Sequence, residues 1–212
     1  MLVALERLEI PPGQKLLLRH VTWDEFETIV EELGEHRGSR LAYAHGVLEI
    51  MTPLPGHEWD KEILSDLIKA LLEELERDFG CLGSTTFKQP MEHGLEPDQC
   101  FYIRHEVAIR GKERIDLTVD PPPDLALEVD LTSRTHTAIY AALRVPELWR
   151  FAHGQLHIVV LQGSAYVEVS ESPTFPGFPL RTVIPEYLAQ SKIVGRNATM
   201  RAFRQWVRAT RQ

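Results

Sequence analysis

Glu128 and Asp130 stand two apart in the run of residues 124–130, and in an extended chain that spacing puts both carboxylates on one face with Ala126. Leu125, Leu127 and Val129 alternate with them and form an apolar opposite face. A carboxylate on a face that avoids solvent is costly unless it is paired or holds a cation. A hard divalent ion meets that need, because Mg²⁺ takes one or two protein carboxylates and completes its shell with waters and phosphate oxygens. The same alternation also fits a half-exposed strand whose polar face is solvated.

A second pair, His57 and Glu58, opens a long apolar-periodic segment. At a helix N-terminus the dipole favours an anion, whether phosphate or Glu58 itself, while a histidine there can equally do no more than start the helix. Two basic groups stand out as well. Arg110, Lys112 and Arg114 fall in a polar loop, and Arg201, Arg204, Arg208 and Arg211 recur at helical spacing opposite Ala202, Phe203, Trp206 and Val207. Such cations can lean on phosphates, or merely solvate an outer surface.

The elements that must position these residues are legible in outline. Thr22 with Glu25 three residues on is a capping box, and Phe26, Ile29, Val30 and Leu33 continue an apolar stripe to Gly34. Residues 41–44 and 47–51 read as strands around a His45-Gly46 turn. Residues 57–79 carry the strongest helical pattern, with apolar side chains from Ile63 to Phe79 and Gly80 as the stop. Strand-like stretches follow at 81–87 and 99–103. After Pro121-Pro122-Pro123 come the strand at 124–130, a helix near 135–143 and strands at 148–152, 156–161 and 165–169. Two helices close the chain, one starting at Pro185 and one near Ala198. The expectation is an α/β (α+β) fold, a mixed central sheet flanked by helices. A single domain spans 1–212, with a core over about 20–170 and a helical segment over about 184–210.

With 212 residues and 43% hydrophobic content the chain can bury one good-sized core. Residues 1–18 mix Glu6, Glu9, Lys15 and two prolines with apolar residues, unlike a signal peptide, and no segment has the length of a membrane span. Two cysteines, Cys81 and Cys100, are too few for a disulfide scaffold, and a reducing, cytoplasmic setting fits. The net charge of −8 excludes holding nucleic acid by bulk electrostatics alone, yet leaves room for an enzyme that recruits a cation. The long helix at 57–79 has enough apolar positions to cover a sheet and meet a copy of itself, so a homodimer is expected.

Taken in order, Trp23-Asp24-Glu25-Phe26, Gly46-Val47-Leu48-Glu49 through Pro53, His57, Pro97-Asp98, Glu128-Val129-Asp130, Tyr140-Ala141-Ala142 and Val145-Pro146-Glu147-Leu148-Trp149 resemble the Uma-two family of restriction endonucleases, within the PD-(D/E)XK nuclease superfamily. Each motif alone is weak; their order and spacing across residues 20–155 are specific. The resemblance implies a restriction-endonuclease-like core in which Asp98 and Glu128, on neighbouring strands, hold Mg²⁺ or Mn²⁺ for hydrolysis of DNA. It also implies a lysine two residues after Glu128, where this chain has Asp130, a residue able to support a metal but not to replace an ammonium. Many family members carry a lysine on the following helix instead, and His136 or Arg134 falls near that place. A retained nuclease fold that has lost catalysis and serves in binding or assembly is the alternative which the missing lysine favours. A metal hydrolase acting on another substrate is a third.

Overall fold

The computed structural model describes residues 9–34, 38–83, 85–89, 93–129 and 134–211, with side chains for all of these except 89 and 134–136. Two antiparallel pairings open the chain's first sheet. Strand β1 (Lys15–Arg19) pairs with β3 (Val47–Met51), and β3 with β2 (Arg40–Ala44). The β2–β3 link is the predicted His45-Gly46 turn. Both residues have positive φ, 48° and 77°, as a two-residue hairpin turn matched to strand twist requires. Between β1 and β2 lies α1 (Trp23–Leu33), capped by Thr22 and Glu25 in the reciprocal arrangement the sequence predicts.

Helix α2 (Pro55–Glu74) follows, then β4 (Gly80–Leu82), β5 (Phe87–Gln89), β6 (His93–Leu95) and β7 (Gln99–Tyr102). The predicted helix over 57–79 therefore stops earlier: Glu76 turns to φ 55°, and Gly80 starts a strand. A short helix α3 (Glu106–Ile109) precedes β8 (Leu125–Val129). Then come α4 (Arg134–Ala142), β9 (Glu147–Ala152), β10 (Gln155–Gln162), β11 (Ala165–Val169), α5 (Leu180–Val194) and α6 (Arg196–Thr210). Pro185 lies inside α5 rather than at its start.

The expected mixed central sheet flanked by helices is the six-stranded sheet β11-β10-β9-β8-β7-β4, and a five-stranded sheet β1-β3-β2-β6-β5 stands beside it as the first. The chain crosses from the first to the second at Glu96-Pro97-Asp98, where proline has no N–H for either ladder. The second sheet is mixed, with β8 and β9 parallel and α4 as their crossover. One face of it, with Leu125, Leu127 and Trp149, packs against α2, α5 and α6. The other, with Cys100, Ala126 and Leu148, packs against α4 and the edge of the first sheet. Strand β8 is therefore buried on both faces. The first sheet's own core holds Phe26 of α1 against Tyr43, Leu48 and Ile50.

The apolar positions of α2 are covered within the chain, by the second sheet on one side and α5 and α6 on the other. The surplus apolar surface that suggested a homodimer is thus consumed inside one copy. Among the described residues no helix is long and apolar enough to cross a membrane.

Candidate active site

The register of β7 and β8 pairs Gln99 with Leu127 and Cys100 with Ala126, so the next step outward brings Asp98 opposite Glu128. Both side chains are buried, 3% and 6% exposed, so the carboxylate face is no solvated strand surface. Oδ2 of Asp98 accepts a hydrogen bond from the Val129 amide at 2.8 Å, which locks it to β8. The Tyr140 hydroxyl of α4 donates to Oε1 of Glu128.

His57, in the first turn of α2, lies against Asp98, with Nε2 3.1 Å from Oδ2, and its Nδ1 is 3.4 Å from Oε1 of Glu58. Among the described residues neither ring nitrogen has a well-directed hydrogen bond, so charge holds the contact rather than angle. Arg40 of β2 approaches from the first sheet, Nε 3.9 Å from Oδ1 of Asp98 and Nη2 3.8 Å from Oε1 of Glu58. Lys61, one turn beyond His57, is buried and paired with Glu58 and Glu62. A cleft between the two sheets, lined by Arg40, Glu49, Glu96, Asp98 and Glu128, opens onto the pair. Glu96 is committed to the junction, accepting from the Leu41 amide at 3.3 Å and the Thr86 hydroxyl at 2.6 Å.

The two carboxyls are driven apart in acidity. Burial alone would raise Asp98, but His57, the Val129 amide and Arg40 outweigh it and hold Asp98 below its ordinary value, as a carboxylate. Burial and then the neighbouring Asp98 charge push Glu128 well above the glutamate range, against the opposing effects of Tyr140 and Arg40. Burial would lower His57, but Asp98 and Glu58 raise it, favouring imidazolium. Burial and Glu128 also raise the Tyr140 phenol, which stays a donor.

One ionised and one neutral carboxyl in contact is what two hard-cation ligands become when a proton takes the cation's place. The donor set therefore fits a divalent ion that draws its remaining ligands from water and phosphate. Among the described residues no three His, Cys, Asp or Glu side chains enclose an ion by themselves. Asp130 lies outside the described residues, as do the side chains of Arg134 and His136, whose backbone belongs to α4.

The basic groups are elsewhere. Arg110 pairs with Glu106 and with Asp78 beyond the far end of α2, and Lys112 pairs with Asp120. Arg204 engages Glu73 and Glu74, and Arg208 engages Glu74. At about 1.5 Å per residue, Glu74 is about 25 Å along α2 from His57, so these cations do not converge on the carboxylates. Arg114 and Arg201 are exposed and have no ion-pair partner among the described residues.

Sequence reasoning missed Arg40 and Lys61. Lys61 stands four residues after His57, a helical spacing that could have revealed it; Arg40, far away in the chain, gave no local signal.

No curated protein matches the chain. A crystal structure described as a "putative nuclease belonging to DUF820", from Anabaena variabilis, is similar at 16% identity, covering 72% of this chain and 87% of that one with a TM-score of 0.48. The Uma2 family model, described as "Putative restriction endonuclease", matches residues 23–188. That span runs from the first residue of α1 into α5, well over half of the chain, and the protein belongs to the Uma2 family.

Proposed function

We propose that this protein is a Mg²⁺- or Mn²⁺-dependent endonuclease that hydrolyses DNA phosphodiester bonds, with Asp98 and Glu128 as the metal-holding carboxylates. The observation that carries this reading is the contact of those two buried carboxyls from adjacent strands, one held ionised and one pushed toward the neutral acid. A cation bound there supplies Lewis acidity toward the scissile phosphate and a water of lowered pKa.

The chain's own groups prepare that site. The Val129 amide and His57 orient Asp98 and keep it charged. Tyr140 orients Glu128. The N-terminus of α2, which carries His57 in its first turn, adds a positive dipole end favourable to phosphate. Asp130 and His136 complete the reading as supporting residues. Of the loop and α6 cations, Arg114 and Arg201 are the ones left to meet backbone phosphates.

The test is plasmid cleavage. Purified protein with Mg²⁺ or Mn²⁺ is expected to nick or linearise DNA, and Asp98→Ala and Glu128→Ala to abolish this. Intact DNA under every condition, or variants that cut as well as the parent, sinks the reading. The absence of a lysine two residues after Glu128 favours the second reading, a nuclease fold kept for binding or assembly. Calorimetric titration with Mn²⁺ separates the two, since the second requires no metal affinity.

A further inference from the structure

The register of the second sheet extends the carboxylate row by one strand. Parallel β8 and β9 pair Glu128 with Arg150, just as β7 brings Asp98 opposite Glu128 from the other side. Residues in register on neighbouring strands share a face, and Cys100, Ala126 and Leu148, one alternation away on each strand, all pack in the same core. Asp98, Glu128 and Arg150 thus form a row across three strands, each about 4.8 Å from the next.

Arg150 differs from the other cations near the pair. Arg40 is engaged with Asp98 and Glu58, and Lys61 with Glu58 and Glu62. Nε of Arg150 is buried, and among the described residues it has no hydrogen-bond partner and its guanidinium no carboxylate within ion-pairing distance. On its far side the in-register residue is His157, which is held by Glu168 at 3.1 Å. A buried guanidinium nitrogen left unpaired is costly, and an anionic ligand would satisfy it.

We propose that Arg150 is the phosphate-holding cation of this site, gripping the scissile phosphodiester beside Asp98 and Glu128 from the neighbouring strand. This rests on the nuclease reading. A guanidinium presents a planar fork that meets two phosphate oxygens at once, which an ammonium cannot do. The chain has Asp130 two residues after Glu128, and Arg150 restores a positive charge on that face one strand over.

The experiment compares the parent with Arg150→Met and Arg150→Gln by melting temperature, by plasmid cleavage with Mg²⁺ or Mn²⁺, and by fluorescence anisotropy of a labelled duplex with Ca²⁺ at several salt concentrations. The variants are expected to melt no lower than the parent and to bind duplex about tenfold more weakly or worse. Their log–log salt dependence should be shallower by about one unit, as loss of one phosphate contact requires, and their cleavage lower by about 10². A merely structural role would leave the salt slope unchanged. Variants that bind and cut like the parent overturn the proposal while leaving the nuclease reading intact. A parent that binds but does not cut, with binding that still depends on Arg150, overturns the nuclease reading and keeps the phosphate site. A parent that neither binds nor cuts overturns both.

Discussion

The hydroxyl of Tyr140 donates to Oε1 of Glu128, tying α4 to β8 at a carboxyl that has almost no contact with water. The bond does two things: it satisfies a buried acid and sets the direction of its second oxygen. Tyr140→Phe removes the donor and little volume. We expect a loss of about 1–3 kcal/mol in urea denaturation, the cost of an orphaned buried polar group. Catalysis, if Glu128 is a ligand, should fall with little change in DNA affinity. An unchanged midpoint would show that Glu128 is satisfied by other means.

Glu128→Gln keeps the shape and hydrogen-bonding capacity of the neutral acid that burial favours. In metal-free buffer the variant should be at least as stable as the parent, since active-site groups are commonly held at a cost in stability. Cleavage should nonetheless fall by about 10² or more, the scale of losing one transition-state electrostatic contact. Thermal melting in chelator beside a plasmid assay reads both effects; a destabilised variant would refute the view that burial favours the neutral form of Glu128 without its cation.

At the other end of α2, Glu74 receives Arg208 at 2.6 Å and Arg204 at 3.2 Å. The hydrogen bond from Arg208 is the main cause that holds the Glu74 carboxyl below the ordinary value of 4.5, with burial opposing and Arg204 adding to it. Because the folded value is depressed, the stabilisation is complete above pH 4.5 and disappears as pH falls through the folded value. Glu74→Gln should therefore cost about 1 kcal/mol at pH 7 and progressively less below pH 4.5. Duplex affinity should hold, since these arginines serve the α2–α6 junction. A pH series of denaturant midpoints with one anisotropy titration decides the point.

Gly94 of β6 lies under the ring of Phe26, and a Cβ there would stand 2.5 Å from Cζ. Phe26 is fully buried and stacked on Tyr43, with ring centroids 4.7 Å apart, so it has little room to retreat. Gly94→Ala should cost about 1–3 kcal/mol by overpacking. Two residues on is Glu96, which lines the cleft at the proposed metal-holding pair, so the shift should also reduce cleavage. Equal stability of parent and variant would mean the first sheet is more compliant than its packing indicates.

Local chemistry made much of this protein readable from its residues. The Thr22–Glu25 box, the His45-Gly46 turn and the apolar stripe of α2 depend on neighbours within a few positions, and each forms where expected, although α2 ends early at Glu74. Alternation likewise set Ala126 and Glu128 on one face of β8, and the family motifs joined Asp98 to them. What the tertiary structure alone decided is which strands lie side by side and in what register. That choice divides the strands into two sheets at Pro97, brings Arg40 against Asp98 from 58 positions away in the chain, and sets Arg150 beside Glu128. It also assigns Arg204 and Arg208 to carboxylates of α2. The physical reason is that pairing between distant strands and helices is selected by burial summed over the whole core, a quantity no short stretch of residues contains.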